Sequence, residues 1–158
     1  MRMDKLTNQL QLALADAQSM ALGKDNNFIE PVHLLAALLQ QEGGSTRPLL
    51  QKAGANVAGL TAAAGKAVEA LPTVSGSGGD VHMSNDLGRI LNVSDKLAQK
   101  GGDAYISSEL VLLAMLESKS SAGEMLKEHG VTAIALQAAI EQVRGGETVN
   151  NPEAEESR

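Results

Sequence analysis

The sequence predicts an all-α protein made of two tandem, pseudo-symmetric four-helix repeats that form one globular domain. Apolar residues recur every three or four positions along most of the 158-residue chain, which is the period of an amphipathic helix. The chain also repeats itself, because a shift of 77 positions brings the apolar residues of its two halves into register. The matched pairs include Leu10 with Leu87, Leu14 with Leu91, Ile29 with Ile106 and, after one residue is lost, Gly54 with Gly130.

The first repeat covers about 4–72 and is predicted to contain four helices. Its first helix has one apolar face and ends near Gly23. The second is apolar on every side, which indicates a buried helix, and Pro31 opens it at a position where a missing N–H costs nothing. Gly54 ends the third helix and Pro72 closes the fourth. The predicted bounds are 4–22, 32–41, 46–53 and 57–71, with the apolar pair Phe28-Ile29 between the first two helices.

The second repeat covers about 85–146 and follows the same plan. Gly101 and Gly102 end its first helix, and Ser107 caps its second. Gly130 ends the third helix, and Gly145 follows the fourth. The predicted bounds are 84–100, 108–119, 122–128 and 132–144.

Two segments are predicted to be flexible. Residues 73–84 join the repeats, and their Gly and Ser content is typical of a linker. Residues 147–158 hold four Glu, one Pro and almost nothing apolar, so they are expected to form a flexible acidic tail. The folded domain would then cover 1–146, and the tail would begin a linker to further domains.

Composition excludes several classes of function. The net charge of −6 and the aromatic content of 1% argue against nucleic-acid binding and against anionic membranes. The absence of Cys excludes disulfide scaffolds, cysteine-ligated metals and thiol catalysis. No stretch reaches the roughly 18 apolar residues of a membrane span. We therefore expect a cytoplasmic protein with no nucleic-acid or membrane partner.

Catalytic motifs are also missing. The three histidines, His33, His82 and His129, share no spacing that suits metal ligands. Residues 59–66 resemble a phosphate-binding loop only faintly, because the glycine spacing is one residue too long and no Ser or Thr follows the Lys. Asp103 and Glu109 would suit a small hydrolase, but no nucleophile is arranged beside them. The chain is predicted to be a non-enzyme with no catalytic residue, metal or cofactor of its own.

What remains is surface for binding. On the helix predicted over 84–100, a band of Ile90, Val93 and Leu97 exceeds what one packing face needs. One interpretation is that the band packs against the other repeat. The other is that part of it, with Leu110 from the next helix, forms an open apolar groove that holds segments of other proteins. The polar residues predicted around this groove are Thr7, Asp103 and Glu109.

Motifs in both repeats resemble the Clp N-terminal domain family. They are IEPVHLL at 29–35 and ISSEL at 106–110, in register with each other. The segments 12–20, 41–45 and 95–100 are most similar to the branch of the family found in bacterial protein disaggregases. The resemblance extends over about 1–146, nearly the whole chain.

The resemblance implies a function and a set of partners. It implies the mobile N-terminal module of an ATP-dependent disaggregase, which captures hydrophobic segments of aggregated or unfolded proteins and passes them to the pore of a homohexamer. ATP and Mg²⁺ would act in that parent protein, which cooperates with the DnaK system, whereas the isolated domain would be a monomer. The family's substrate contacts map onto Thr7, Val93, Leu97, Asp103, Glu109 and Leu110. The alternative within the family is the N-domain of a Clp protease unfoldase, which binds adaptor proteins.

Overall fold

A computed structural model describes residues 3–74 and 80–157, and over these residues it contains eight α-helices and two short strands. The first repeat holds α1 (Asn8–Gly23), β1 (Phe28–Ile29), α2 (Pro31–Gln40), α3 (Thr46–Lys52) and α4 (Val57–Glu69). The second holds β2 (His82–Met83), α5 (Asn85–Lys100), α6 (Ser108–Glu117), α7 (Ser121–Glu128) and α8 (Ala133–Arg144). Short 3-10 helices occupy Met3–Lys5 and Ala154–Ser157. The predicted all-α fold of two four-helix repeats is confirmed.

The helix starts differ from the predicted ones where a side chain caps the first turn. The first helix begins at Asn8 rather than at residue 4, because the Thr7 hydroxyl accepts a hydrogen bond from the Leu10 N–H at 3.3 Å. Ser84, its counterpart in the second repeat, accepts from the Leu87 N–H at 3.1 Å. The two helices thus begin at equivalent capping residues, 77 positions apart.

The two repeats are joined by reciprocal backbone pairing. β1 of the first repeat pairs in parallel with β2, which precedes the first helix of the second repeat. Leu6, which precedes the first helix of the first repeat, forms a parallel bridge with Ile106 of the second. The hydrogen bonds follow the same symmetry, since the Thr7 N–H donates to the Ile106 carbonyl and the Ser84 N–H donates to the Ile29 carbonyl, both at 3.0 Å. The segment before the second helix of each repeat therefore pairs with the segment before the first helix of the other, an arrangement that we call the reciprocal clamp and that the sequence pattern does not reveal.

The core is centred on α2 and α6, the second helix of each repeat. Every residue from 31 to 39 and from 108 to 116 is buried, as the all-round apolar pattern predicts. The third helix of each repeat packs against the fourth helix of the other, so α3 contacts α8 and α7 contacts α4. The two repeats therefore share one hydrophobic core.

The segment between the repeats is anchored at both ends. The Val74 N–H donates to the Asp25 carbonyl at 2.8 Å, and Thr73 bridges to Asn26. At the other end β2 pairs with β1. The centre of the predicted linker, residues 75–79, lies outside the described residues.

The acidic tail, predicted to be flexible, is instead packed against the domain. Gly145 and Gly146 have φ values of 59° and 85°, a left-handed backbone that ends α8. Beyond them, the side chains of Val149 and Glu155 are buried. Composition predicts disorder because the segment is polar on average, but two anchoring side chains are enough to hold it.

Candidate functional site

A shallow groove of about 430 Å³ lies between α5 and the end of α6. Its apolar floor consists of Ile90, Val93 and Ala114. Its polar edge consists of Asp86, Arg89, Glu117, Ser118, Lys119 and Ser120. An apolar floor between charged edges can accept an apolar side chain of another chain and leave polar backbone in contact with water.

The structure places the three predicted groove residues differently. Val93 lines the groove and is half-buried. Leu97 lies one turn further along α5 and is also half-buried, packed against the edge of the core. Leu110 is only 7% exposed, so it cannot form an open groove with the others. It belongs to α6, whose apolar residues are all buried.

The three residues predicted to form a polar rim are buried instead. Thr7 caps α1, Asp103 follows the end of α5, and Glu109 lies in the first turn of α6. None of them lines the groove. Buried polar side chains need partners inside the protein, and these three find theirs in two neighbouring clusters.

The first cluster is centred on Arg144, the last residue of α8. Its Nε lies 3.0 Å from Glu109 Oε2, and its Nη2 lies 3.0 Å from Asp103 Oδ2 and 3.2 Å from Ser107 Oγ. Burial alone would lower the pKa of Arg144, but the charges and hydrogen bonds of Glu109 and Asp103 outweigh it and raise that pKa above its usual value. The guanidinium group thus ties α8 to the start of α6 and to the loop before it.

The second cluster holds the carboxylate of Glu155, from the tail. Its Oε2 accepts hydrogen bonds from the Thr7 hydroxyl and, at 2.9 Å, from the Ser108 N–H at the start of α6. Its Oε1 accepts from the Ser45 hydroxyl at 3.1 Å. The donors come from both repeats, so this carboxylate joins the two halves of the domain.

His33 occupies a neutral network in the first repeat. Its Nδ1 accepts from the Glu30 N–H at 2.8 Å, and its Nε2 lies 2.8 Å from the Asn26 side-chain oxygen. This pattern fits the neutral ring with the proton on Nε2. Burial, with a smaller contribution from the charge of Lys24, lowers the pKa of His33 below its ordinary value.

The sequence did not single out Arg144, Ser45 or Glu155 as site residues. Each lies far along the chain from its partners, and each type is common on helix ends and loops. Among residues 3–74 and 80–157 no group of His, Asp or Glu could hold a metal ion. No helix of that described part is long and apolar enough to cross a bilayer.

Comparison with known proteins identifies one family and relatives that contain its domain. Residues 5–129 match the family model of the Clp repeat (R) N-terminal domain. The chain is similar over its full length to the chaperone protein ClpB of Vibrio cholerae, at 51% identity, and of Pseudomonas putida, at 52%. It spans 18% of the length of these relatives.

Solved structures share the fold. The Hsp104 N-terminal domain from Candida albicans superposes with a TM-score of 0.84 at 20% identity, over 96% of this chain and 99% of that one. A ClpV N-domain in complex with a VipB peptide superposes with a TM-score of 0.71 at 22% identity, over 90% of this chain and 89% of that one. At these identities the likeness is one of fold.

Proposed function

Because the chain belongs to the Clp repeat N-terminal domain family, we propose that it is the N-terminal substrate-binding module of an ATP-dependent protein disaggregase of the cytoplasm. In this role it captures hydrophobic segments of aggregated or unfolded proteins and passes them to the pore of a hexamer that cooperates with the DnaK system. ATP and Mg²⁺ act outside this chain, since its sequence has no glycine-rich loop that ends in Lys followed by Ser or Thr. The chain itself is a binding module and not an enzyme.

The observation that carries the proposal is the groove between α5 and α6. Its floor is apolar, and the half-buried Leu97 extends the apolar surface by one turn of α5 beyond Val93. Its edge carries both signs of charge, from Asp86 and Glu117 on one hand and Arg89 and Lys119 on the other. Such a surface selects for apolar side chains without demanding one sequence.

The groove supports weak binding, which suits this role. A Val or Leu side chain of a substrate that is fully buried contributes at most about 1.5–3 kcal/mol. Ordering an unfolded segment opposes this by about 0.5–1.5 kcal/mol for each immobilised side chain. Two or three buried side chains therefore give capture that is easily reversed, so the segment can be passed on.

The proposal is tested by substitutions that introduce a charge into the groove and a measurement of binding. Val93→Glu and Leu97→Glu are each expected to weaken binding of a fluorescently labelled, permanently unfolded model protein at least fivefold, measured by anisotropy. Ile134→Glu is the matched control, because Ile134 is 81% exposed on α8 and does not line the groove. Leu110→Glu is unsuitable, since a charge at this buried position is expected to unfold the domain.

Circular dichroism and thermal melting establish that each variant is folded. If folded Val93→Glu and Leu97→Glu bind the unfolded protein as well as wild type does, the groove is not the capture site. If Ile134→Glu weakens binding as much as they do, the chain binds through general surface hydrophobicity.

A second candidate is the N-domain of a Clp protease unfoldase that recruits adaptor proteins. The observation behind it is that a ClpV N-domain of this fold is in complex with a VipB peptide, so an N-domain of this fold can bind a segment of one particular partner protein. On this proposal the domain binds a folded adaptor tightly and the unfolded model protein poorly. Titration of the wild-type chain with both kinds of ligand separates the two proposals.

A further inference from the structure

The tail after α8 places a carboxylate, that of Glu155, in a pocket of hydrogen-bond donors. The pocket holds Glu155 through the hydroxyl groups of Thr7 and Ser45 and the backbone N–H of Ser108. Thr7 is fully buried, and the Ser108 N–H is one of the donors in the first turn of the ten-residue helix α6 that have no partner within the helix. Two hydroxyls and a helix N-terminus together are suited to a negatively charged group.

Ser108, whose N–H binds the carboxylate, also has a hydroxyl group. The Ser108 hydroxyl is buried and has no hydrogen-bond partner among the residues that the structure describes. A buried hydroxyl without a partner is uncommon in proteins. The residue whose N–H binds Glu155 thus carries a second donor that no described residue uses.

The segment that supplies Glu155 is held at few points. We call residues 147–157 the strap. Only Val149 and Glu155 of its described side chains are buried. Its backbone is bonded to the domain at Val149, whose N–H donates to Asp103 Oδ1 at 2.9 Å. The Val149 carbonyl accepts from the N–H groups of Ala104 at 2.8 Å and Tyr105 at 3.3 Å. The Pro152 carbonyl accepts from the Asn8 N–H at 2.8 Å.

This arrangement differs from the core, where α2 and α6 are buried at every residue except the last. Segments with few buried side chains and largely exposed backbone open at lower free energy than the rest of a domain. Opening of the strap would uncover Thr7 and Asp103, because Glu155 and Val149 are bonded to them in the closed arrangement.

We propose that the strap is detachable, and that the pocket of Thr7, Ser45 and Ser108 is a carboxylate-binding site that accepts an acidic segment of another protein chain when the strap is off. The occupant supplies a Glu or Asp side chain in place of Glu155. This activity goes beyond the capture of apolar segments, and it uses a surface that is separate from the groove on α5.

The first experiment tests whether the strap detaches, using the full chain. Glu155→Ala is expected to increase amide exchange at Asn8, Ala104 and Ser108 at least tenfold, while amides in the middle of α6 exchange as in wild type. Glu156→Ala is the matched control, because Glu156 is exposed in the same turn. Equal increases in the strap contacts and in α6 would mean that the strap is an integral part of the fold, and no increase at the three amides would mean that Glu155 does not hold it. Either result overturns the proposal.

The second experiment tests the pocket with a peptide in trans. The probe is a labelled synthetic peptide with the sequence of residues 147–158. It is expected to bind the Glu155→Ala chain at least tenfold more tightly than wild type, where the attached strap competes at a high effective concentration. A peptide with Ala in place of Glu155 should lose at least tenfold in affinity for the same chain. Equal binding of the two peptides, or no binding of either to a folded Glu155→Ala chain, would refute the carboxylate site. Neither result depends on Val93 or Leu97, so the proposed capture of unfolded proteins is tested separately.

Discussion

Removal of the Arg144 side chain should leave two buried carboxylates without their counter-charge. In the native domain this guanidinium contacts both Asp103 and Glu109 at 3.0 Å, and all three side chains are largely shielded from water. Breaking a buried ion pair by removal of one partner costs about 3–5 kcal/mol, because the remaining charge is desolvated and unpaired. For a chain of this size each kcal/mol lost from the free energy of unfolding lowers the melting temperature by about 2–4 °C. Arg144→Ala is therefore expected to lower it by roughly 6–20 °C.

The assay is urea unfolding followed by far-ultraviolet circular dichroism, with thermal melting as a second measure. The matched control is Arg89→Ala, because Arg89 pairs with Asp86 at the surface, where the two side chains are 71% and 53% exposed. This control should cost less than about 1 kcal/mol. If Arg144→Ala costs no more than the control does, the buried cluster does not stabilise the fold and our reasoning about it is wrong.

The remaining predictions concern acid sensitivity and backbone packing. Burial lowers the pKa of His33 in the folded state, so the unfolded chain takes up a proton first as the pH falls. The neutral His33 therefore contributes fully to the free energy of unfolding above its ordinary pKa of about 6.5. Below that pH the free energy of unfolding declines by at most about 1.4 kcal/mol for each pH unit. Urea unfolding at several pH values should show this decline in wild type and in the exposed-site control His82→Gln, and a decline that persists in His33→Gln would contradict it. Gly123→Ala should cost more than about 1 kcal/mol, because the added Cβ would lie 2.2 Å from the Met115 carbonyl oxygen. Gly88→Ala on α5 meets nothing within 4 Å and should stabilise by about 0.5–1 kcal/mol; equal stabilities of the two variants would show that the space around Gly123 is misjudged.

The helices could be predicted because their signals are local. Apolar spacing identifies a buried face within a few turns, and Pro31 and Gly54 mark a start and an end at single positions. The positions of Leu6 and of β2 could not be predicted, because Leu6 forms a bridge with Ile106 and β2 pairs with β1, and both partners lie in the other repeat. Strands of two residues are too short to show a periodic pattern, so the reciprocal clamp is visible only in the structure.

The sequence predicts only part of the groove, because it shows which helix has surplus apolar residues but not which of them stay open to solvent. The surplus apolar band on α5 includes Val93 and Leu97, and a helical wheel places Leu97 at the edge of the packed face and Val93 well beyond it. The sequence groups Leu110 with them because it is apolar and begins the apolar run of α6, but Leu110 is buried and offers no open surface. A pattern can show that one helix has too many apolar residues, whereas which surface remains open depends on the helices packed around it.

The buried polar residues show how the two repeats use one scaffold with different chemistry. Asn26 and Asp103 occupy equivalent positions in the two repeats. The backbone N–H of each donates to the carbonyl of the residue five positions before it, at 2.9 Å for Asn26 and 2.8 Å for Asp103. In the first repeat the Asn26 side chain meets the neutral ring of His33, whose equivalent in the second repeat is Leu110. In the second repeat the Asp103 side chain meets a charged guanidinium group. Both loops need a buried polar anchor, but the ionic one also fixes α8 and carries a backbone bond to the strap. The charged anchor thus connects the strap to the second repeat, and the proposed detachment of the strap would remove a hydrogen bond from this repeat's loop only at Asp103 and its neighbours.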